Sequence, residues 1–357
     1  MSVVFNDSAR SSAVDSQNSH QSKVMKLSVI ILCWNDRKVI GDCLQSIYAK
    51  THFTEFEVIV SDNGSTDGSV EFIRGSYPQV RVIENGRNLR FAKANNVGIR
   101  ASRGEYVLIL NPDTIIHDGA LDQMIGFADQ HPKVGAFGCR VLNADGSYQV
   151  SASPFASFKG ELVAALYLRW LGRVNKWFTS DSYPGWRGKT QRQVDWLAGC
   201  FMLVRGDVLK SIDGFDEQFF YYYEDMDLCR RIWQARYPIM YVPDATITHL
   251  GGQSTKGRFT PLPFILDGEV TRYLYFYKYY GRSGVRGLRW IRFVSVVLRL
   301  LGYGLKQMVR PSEAVRKRLE DLCAVFEWNY RVDPVRLVEN GEEPSLQTRV
   351  MNRVWER

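Results

Sequence analysis

At 357 residues, 45% hydrophobic and with a formal charge of +8, the chain can bury a substantial core as one large domain or two ordinary ones. Cys33, Cys43, Cys139, Cys200, Cys229 and Cys323 form no Cys-x-x-Cys pair, which argues against a structural zinc site and for core packing in a reducing compartment. Residues 1–26 are rich in Ser, Asn, Asp and Gln and cannot offset the entropy of ordering themselves. They read as a disordered tail without the apolar run of a secretory signal, so a cytoplasmic protein is expected.

From Leu27 to Cys139, short apolar runs alternate with helical periodicity, the pattern of βα units feeding a mainly parallel sheet. Strands are expected at Leu27–Cys33, Phe56–Ser61, Val80–Ile83, Tyr106–Leu110 and Val134–Phe137. Between the first two, Ile40, Cys43, Leu44, Ile47 and Tyr48 keep one face of a helix apolar. The stretch from Gly138 to Val194 reads as loops plus a helix around Leu162–Leu171. A strand-like run then covers Val194–Val204, a helix starts near Glu224, and two short strands, Ile239–Val242 and Ala245–Thr248, follow.

The charge excess sits late. Val270 to Ser312 holds no acid but contains Arg272, Lys278, Arg282, Arg286, Arg289, Arg292, Arg299, Lys306 and Arg310, which suits an anionic surface. Arg289, Arg292, Arg299, Lys306 and Arg310 are spaced to share one helix face, with Leu288, Ile291, Val294, Val297, Leu298 and Leu301 mostly opposite. Such a helix lies on an anionic membrane, or packs as an ordinary helix or dimer contact. Arg299 keeps its apolar run too short to span a bilayer. Aromatic residues at Tyr273–Tyr280 lack a stacking-platform pattern, so nucleic acid is not an expected partner.

In an open α/β sheet, ligands bind where the strands' carboxyl ends, loops and helix N-termini converge. Here those ends carry Trp34-Asn35-Asp36, Asp62 to Asp67, Asn85 to Asn88 and Asn111-Pro112-Asp113. Aromatic planes, amides and carboxylates of this kind suit a nucleoside, whose base stacks and whose hydroxyls need partners. Neither G-x-G-x-x-G nor a Walker loop is present, so a divalent cation held by oxygen ligands is the candidate for neutralising phosphates. Each motif alone has a plain structural reading, since Asp, Asn, Gly and Pro build turns for backbone reasons.

Two further motifs add to these. Trp196-Leu-Ala-Gly-Cys precedes a Gly214-Phe-Asp turn, and Glu224, Asp225 and Asp227 crowd the first turn of a helix behind the aromatic run Phe219–Tyr223. Helix capping accounts for one or two of these acids. The aromatic run is expected to line a sugar-sized pocket in which a carboxylate acts as general base. His249 follows a strand and could be structural, or could complete a metal shell begun by Asp113.

Taken in order, SVIILCWND, VIVSDNGSTDGS, NLRFAKANNVGI, YVLILNPDT, WLAGCFMLVR, GFDEQFFYYYEDMDL and ITHLGGQS resemble the family 2 glycosyltransferases, in particular their rhamnosyltransferase-like subgroup. The resemblance implies a GT-A fold: an α/β architecture with a Rossmann-like central mixed sheet flanked by helices, and here a C-terminal helical appendage. With composition and charge, it divides the chain into a tail 1–26, a catalytic domain 27–260 with a nucleotide-sugar half 27–139 and an acceptor half 140–260, and a basic helical region 261–357. It also implies that Trp34, Asn35, Asp62, Asn88, Lys93, Asn111 and Trp196 bind the nucleotide sugar. Asp113 and His249 would hold Mg or Mn, and Asp225 would be the catalytic base with Glu224 beside it. Arg90 stands where the family usually has Gly.

The expected activity is metal-dependent, inverting transfer of a sugar, preferably L-rhamnose from dTDP-rhamnose, to a hydroxyl of a glycan or lipid-linked saccharide in cell-surface polysaccharide synthesis. Alternatives are a UDP-hexose or UDP-galactofuranose transferase, or a non-catalytic nucleotide-sugar-binding scaffold. Contact with the inner face of the cytoplasmic membrane through 286–310 and homo-oligomerisation stay open.

Overall fold

The computed structural model describes residues 25–173, 175–179, 183, 185–219, 222–251 and 261–339. The expected tail up to residue 24, Phe220 and Tyr221 of the aromatic run, Gly252, Gln253 and Ser254 of the last motif, and the end of the basic region from 340 lie outside them.

The sheet is built from the centre outward. Strands β1 (Leu27–Cys33), β2 (Phe56–Asp62) and β4 (Tyr106–Leu110) are nearly continuous apolar runs, as strands covered on both faces must be. With β3 (Arg81–Glu84) they form a parallel block in the order β3-β2-β1-β4. Helices α1 (Ile40–Lys50), α2 (Ser69–Ser76) and α3 (Phe91–Ala101) are the crossovers. Helix α3 lies so close to β1 that a Cβ at Gly98 would stand 2.4 Å from Cγ2 of Ile30.

After β4 the topology changes. The order continues β11 (Phe201–Arg205), β6 (Ala136–Leu142), β12 (Ile239–His249) and β5 (Thr114–Ile116). Strand β11 runs antiparallel to both its neighbours, and β5 antiparallel to β12, so the sheet is mixed. Immediately after β4, therefore, the chain crosses to the far edge of the sheet before α4 (Ala120–Gln130) returns it. Short strands β7 (Tyr148–Gln149) and β9 (Arg192–Gln193) pair with β6 and β12, while β8 (Ala152–Ser153) and β10 (Trp196–Leu197) form a separate ribbon. Helices α5 (Phe158–Ala165), α6 (Gly206–Ser211) and α7 (Glu224–Gln234) complete this part.

Several boundaries differ from the sequence expectation. The expected strand Val134–Phe137 begins at Ala136 and runs on to Leu142. Ile239–Val242 and Ala245–Thr248 are one strand, irregular at Pro243, where no N–H is available to the ladder. The run Val194–Val204 is divided into β10 and β11 by Gly199, where a Cβ would meet Phe91 at 3.2 Å and Asp225 at 3.6 Å. Thr114–Ile116 and Ala120–Gln130 are elements beyond those expected.

The C-terminal region comprises α8 (Pro261–Val309), α9 (Glu313–Arg331) and α10 (Pro334–Glu339). On a straight helix Glu269 and Arg292 would stand about 34 Å apart, yet Arg292 Nε donates to Glu269 Oε2 at 2.9 Å. The chain therefore reverses at Gly281 (φ 66°, ψ −165°), making α8 two antiparallel arms. The reversal corrects the expected basic face. Arg292 turns inward to Glu269, and Arg289 donates to the carbonyl of Asn329 at 2.8 Å. Leu288 is buried, while Val294, Leu298 and Leu301 are exposed. No helix among the described residues is long and apolar enough to cross a membrane.

Candidate active site

The strand ends β1, β2 and β4 converge with the start of α7 and the end of β12. At the β1 end, Asn35 takes a left-handed conformation (φ 56°). Its N–H donates to Ser65 Oγ at 2.8 Å and its side-chain oxygen accepts from the Thr66 N–H at 2.6 Å. The Trp34 N–H donates to Asp36 at 2.8 Å. The two Asn35 bonds tie the β1 loop to the β2 loop. Asp62 at the end of β2 accepts from the N–H groups of Gly64 and Ser65 through Oδ2, at 2.9 and 3.0 Å. Its Oδ1 is buried without a hydrogen-bond partner. A buried acceptor left open costs about 1–3 kcal/mol, which a donor on a bound base edge would recover.

The third loop is built around Asn63, a member of the Asp62–Asp67 cluster to which the sequence assigned no role of its own. Its side-chain oxygen accepts from Asn85 Nδ2 at 3.1 Å and the Leu89 N–H at 3.2 Å, and its Nδ2 donates to Asn88 Oδ1 at 3.2 Å. Asn88 also accepts from the Arg90 N–H at 2.8 Å, so its carbonyl oxygen shapes the loop. Arg90 adopts φ 68°, ψ −175°, a region nearly reserved to glycine, and its guanidinium lies 3.7 Å from Asp267 of α8. Lys93 pairs with Glu217 at 3.8 Å and is half exposed.

Asp113 and His249, 136 positions apart, meet because β5 pairs antiparallel with β12, setting Thr114 opposite His249. The Asp113 carbonyl accepts from the Leu250 N–H at 2.9 Å. His249 Nε2 then stands 3.1 Å from Asp113 Oδ1 and 3.2 Å from Asn111 Nδ2. The Gln149 amide of β7 holds the other ring nitrogen, its Nε2 3.0 Å and its Oε1 3.2 Å from Nδ1; with Oε1 assigned as the partner, Nδ1 carries the proton. With the proton assigned to Nδ1, Nε2 and the carboxylate oxygen present two lone pairs to one space. Adjacent ligands of an octahedral cation at about 2.1 Å stand about 3.0 Å apart, so the spacing suits such an ion. Among the described residues no group of three or more His, Cys, Asp or Glu could hold a metal. Protein donors here number few, and a cation would draw its remaining ligands from substrate or water.

Asp225 lies beside this pair. Its Oδ2 accepts from the Gly199 N–H at 3.1 Å. The next residue, Cys200, accepts through its carbonyl from the Asn111 N–H at 3.2 Å. The Cys200 thiol is pushed up to about 12 by burial and then by both the Asp113 and Asp225 carboxylates. Burial also raises the Asp225 carboxyl, against the opposing effect of the Gly199 N–H and the Trp196 indole. Glu224 is raised by burial and by the neighbouring Asp225 charge, and its Oε2 has no hydrogen-bond partner. A buried Glu224 beside the half-buried Asp225 keeps a proton available near neutral pH.

The third acid, Asp227, has a structural part. It is fully buried, bonded to Arg231 and Tyr279 and paired with Lys278 at 2.7 Å. The aromatic run also differs from expectation. Phe219 is buried with α8, and Tyr223 is half-buried against Tyr275 and accepts from Arg272 at 3.0 Å. Only Tyr222 of the described aromatic residues there is substantially exposed. Both Tyr222 and Tyr223 have positive φ, so α8 fixes the strained turn that aims Glu224 and Asp225.

The model of the family described as "Glycosyl transferase family 2" matches residues 28–201. An N-acetylglucosaminyl-diphospho-decaprenol L-rhamnosyltransferase from Mycobacterium tuberculosis (strain H37Rv) is 33% identical over 255 residues, covering 68% of this chain and 81% of that protein. Rhamnosyltransferase WbbL of Escherichia coli K12 is 28% identical over 239 residues, covering 65% and 86%. Among solved structures, a mannosyltransferase from Pyrobaculum calidifontis in complex with GDP-Man and Mn2+ superposes with a TM-score of 0.53 at 16% identity, covering 86% of this chain and 87% of that one. The mixed sheet with its strand-end loops is thus the GT-A fold, and the chain belongs to glycosyl transferase family 2.

Proposed function

We propose that this chain is an inverting glycosyltransferase that moves L-rhamnose from dTDP-rhamnose onto a hydroxyl of a polyprenyl-diphosphate-linked saccharide. The names of the mycobacterial and E. coli relatives support the sugar and the acceptor class. The observation that carries the chemistry is the approach of Asp113 to His249 at 3.1 Å, with Asp225 held one residue away from Cys200.

Asp62 receives the donor's base through its open Oδ1, and Trp34, Asn35 and Asn88 shape the loops around the nucleoside. Asn111 orients His249, and Asp113 and His249 hold the site for Mg2+ or Mn2+. When bound, such a cation offsets the charge that grows on the leaving diphosphate. Asp225 accepts the proton of the acceptor hydroxyl as its oxygen attacks the anomeric carbon opposite the diphosphate. Attack from that face inverts configuration, with no covalent glycosyl-enzyme. Glu224, kept largely protonated by burial, is a donor to an acceptor oxygen.

The test uses the full chain with Mg2+ or Mn2+, a panel of nucleotide sugars and a short-chain lipid diphosphate acceptor. Release of dTDP from dTDP-rhamnose, dependent on acceptor, is the expected result. Asp225→Asn is expected to retain donor binding and to lower turnover by about 10²–10⁴-fold. Unchanged turnover in that variant removes Asp225 as base, and turnover of a UDP-sugar instead overturns the donor assignment.

A further inference from the structure

Helix α7 begins without the usual cap. Its N-cap residue is Tyr223, whose side chain makes no capping bond, and Tyr222 and Tyr223 both take the left-handed backbone (φ 63° and 66°). Residues with a Cβ avoid that region, and N-caps are ordinarily Ser, Thr, Asp or Asn. This turn nevertheless sets the first turn of α7, because the Tyr223 carbonyl accepts from the Asp227 N–H at 2.8 Å. Asp225 lies between these two residues. Its orientation toward the Gly199 N–H is therefore inherited from a backbone conformation that tyrosine does not favour by itself.

The hold on the turn lies at the far end of the Tyr223 side chain. The ring sits 5.2 Å from that of Tyr275 in α8, and the hydroxyl accepts from Arg272 Nε at 3.0 Å. Arg272 opens the run of cations that composition suggested for an anionic surface, yet its side chain is only 24% exposed. It is gripped in turn: Nη1 donates to Glu269 at 3.1 Å, and Glu161 of α5 stands 3.5 Å away. Glu269 is itself buried and also receives Arg292 of the returning arm. Two carboxylates thus meet the charge of Arg272, and a bond to a neutral hydroxyl is not needed for that purpose. What the bond does is join this ionic cluster to the turn.

We propose that Arg272 is a positioning residue for Asp225, acting through the Tyr223 hydroxyl to hold the turn from which the base projects. The proposal rests on the reading of Asp225 as the base and extends it, since part of the catalytic geometry then comes from the C-terminal helices. A catalytic group must be held to within about 0.5 Å of its productive position, and a misplacement of about 1 Å can cost about 100-fold in rate. A role confined to stability would show in the melt and leave the turnover of each folded molecule unchanged. A positioning role lowers kcat and leaves the donor KM alone, because the loops that receive the nucleoside are built on β1 and β2.

Two gentle substitutions test it in the full chain. Tyr223→Phe removes the hydroxyl and keeps the ring against Tyr275. Arg272→Lys keeps the charge between Glu161 and Glu269 and puts a methylene where Nε stands. Both are made singly and together, and assayed with dTDP-rhamnose, Mn2+ and a short-chain lipid diphosphate acceptor. Each single variant is expected to lower kcat about 10- to 100-fold with the donor KM unchanged. The double variant is expected to be no slower than the slower single one, since both break the same bond. Hydrogen exchange is read beside turnover: the Asp227 amide is expected to exchange about threefold to tenfold faster in Tyr223→Phe while the central strands keep their protection. Wild-type kcat in Tyr223→Phe, or losses that multiply in the double variant, overturns the proposal. So does exchange at Asp227 that neither substitution alters. If the wild type transfers no sugar, the functional reading fails, while exchange at Asp227 still decides whether Arg272 holds the turn.

Discussion

His249 acts through its neighbours. Gln149 fixes one ring nitrogen and thereby aims the other at Asp113. Residues that orient a metal-binding imidazole usually contribute 10- to 100-fold in metal affinity, and Gln149→Leu is expected to raise the Mn2+ concentration for half-maximal turnover by about that factor. Saturating Mn2+ should restore most of the rate. A variant with unchanged metal dependence would reduce Gln149 to a packing residue. Sequence could not find it, because a strand of two residues leaves no periodicity and its partner lies 100 positions away.

Glu224 gives a pH signature with a definite sign. Burial and then the Asp225 charge raise its carboxyl in the folded chain, so between the unfolded value of about 4.3 and that raised value the folded state holds the extra proton. Its contribution to stability is present below about pH 4.3 and is lost as pH rises through the folded value. Glu224→Gln, which cannot ionise, is expected to melt higher than wild type at pH 9, with a smaller difference at pH 4. Equal differences at the two pH values would contradict a buried, protonated Glu224. Asp225 is raised in the same direction, so turnover is expected to rise with pH through a limb above the usual aspartate value of about 3.9.

At the scale of elements, the central strands and α1 were legible because a strand covered on both faces is an unbroken apolar run and an amphipathic helix repeats its buried face. Leu27–Cys33 and Tyr106–Leu110 are found with their expected limits. What was not legible depended on tertiary neighbours. Gly199 interrupts a strand-like run at a point where a Cβ would press on the Phe91 ring at 3.2 Å. Thr114–Ile116 is a strand only because β12 is there to pair with it.

The same limit explains the basic region. Within an acid-free stretch of nine cations, the spacing of Arg289, Arg292, Arg299, Lys306 and Arg310 suggested one charged face, but Gly281 folds that stretch back on itself, and Glu269 draws Arg292 inside. At φ 66°, ψ −165° nothing lies within 4 Å of a Cβ built on Gly281. The cost of a side chain there is therefore conformational rather than steric. Gly281→Ala is expected to lower stability by about 1–3 kcal/mol, seen as a lower melting temperature with donor binding retained. An unchanged melt would mean that the reversal is made without this residue's left-handed backbone.

Across the whole molecule, the candidate site is a product of topology. Asn111-Pro112-Asp113 leaves the centre of the sheet, and the chain travels at once to the far edge, so that β5 and β12 bring Asp113 to His249. The turn at Gly199 then brings Asp225 from the other side, and α8 braces the Tyr222–Tyr223 turn before it. The resemblance in sequence identified most of these residues, but their meeting depends on a crossing that no local pattern contains. Trp34, Asn35, Asp62 and Asn88 share the loops at one end of the parallel block, and Lys93 is turned outward to Glu217.

The central claim is that Asp113 and His249 together hold a divalent cation at the donor diphosphate. Electron paramagnetic resonance of Mn2+ titrated into the full chain with dTDP tests it most directly. Nucleotide-dependent Mn2+ binding is predicted for the wild type and for Asp225→Asn, and is predicted to be lost in both Asp113→Ala and His249→Ala. Wild-type Mn2+ binding in those two variants would contradict it.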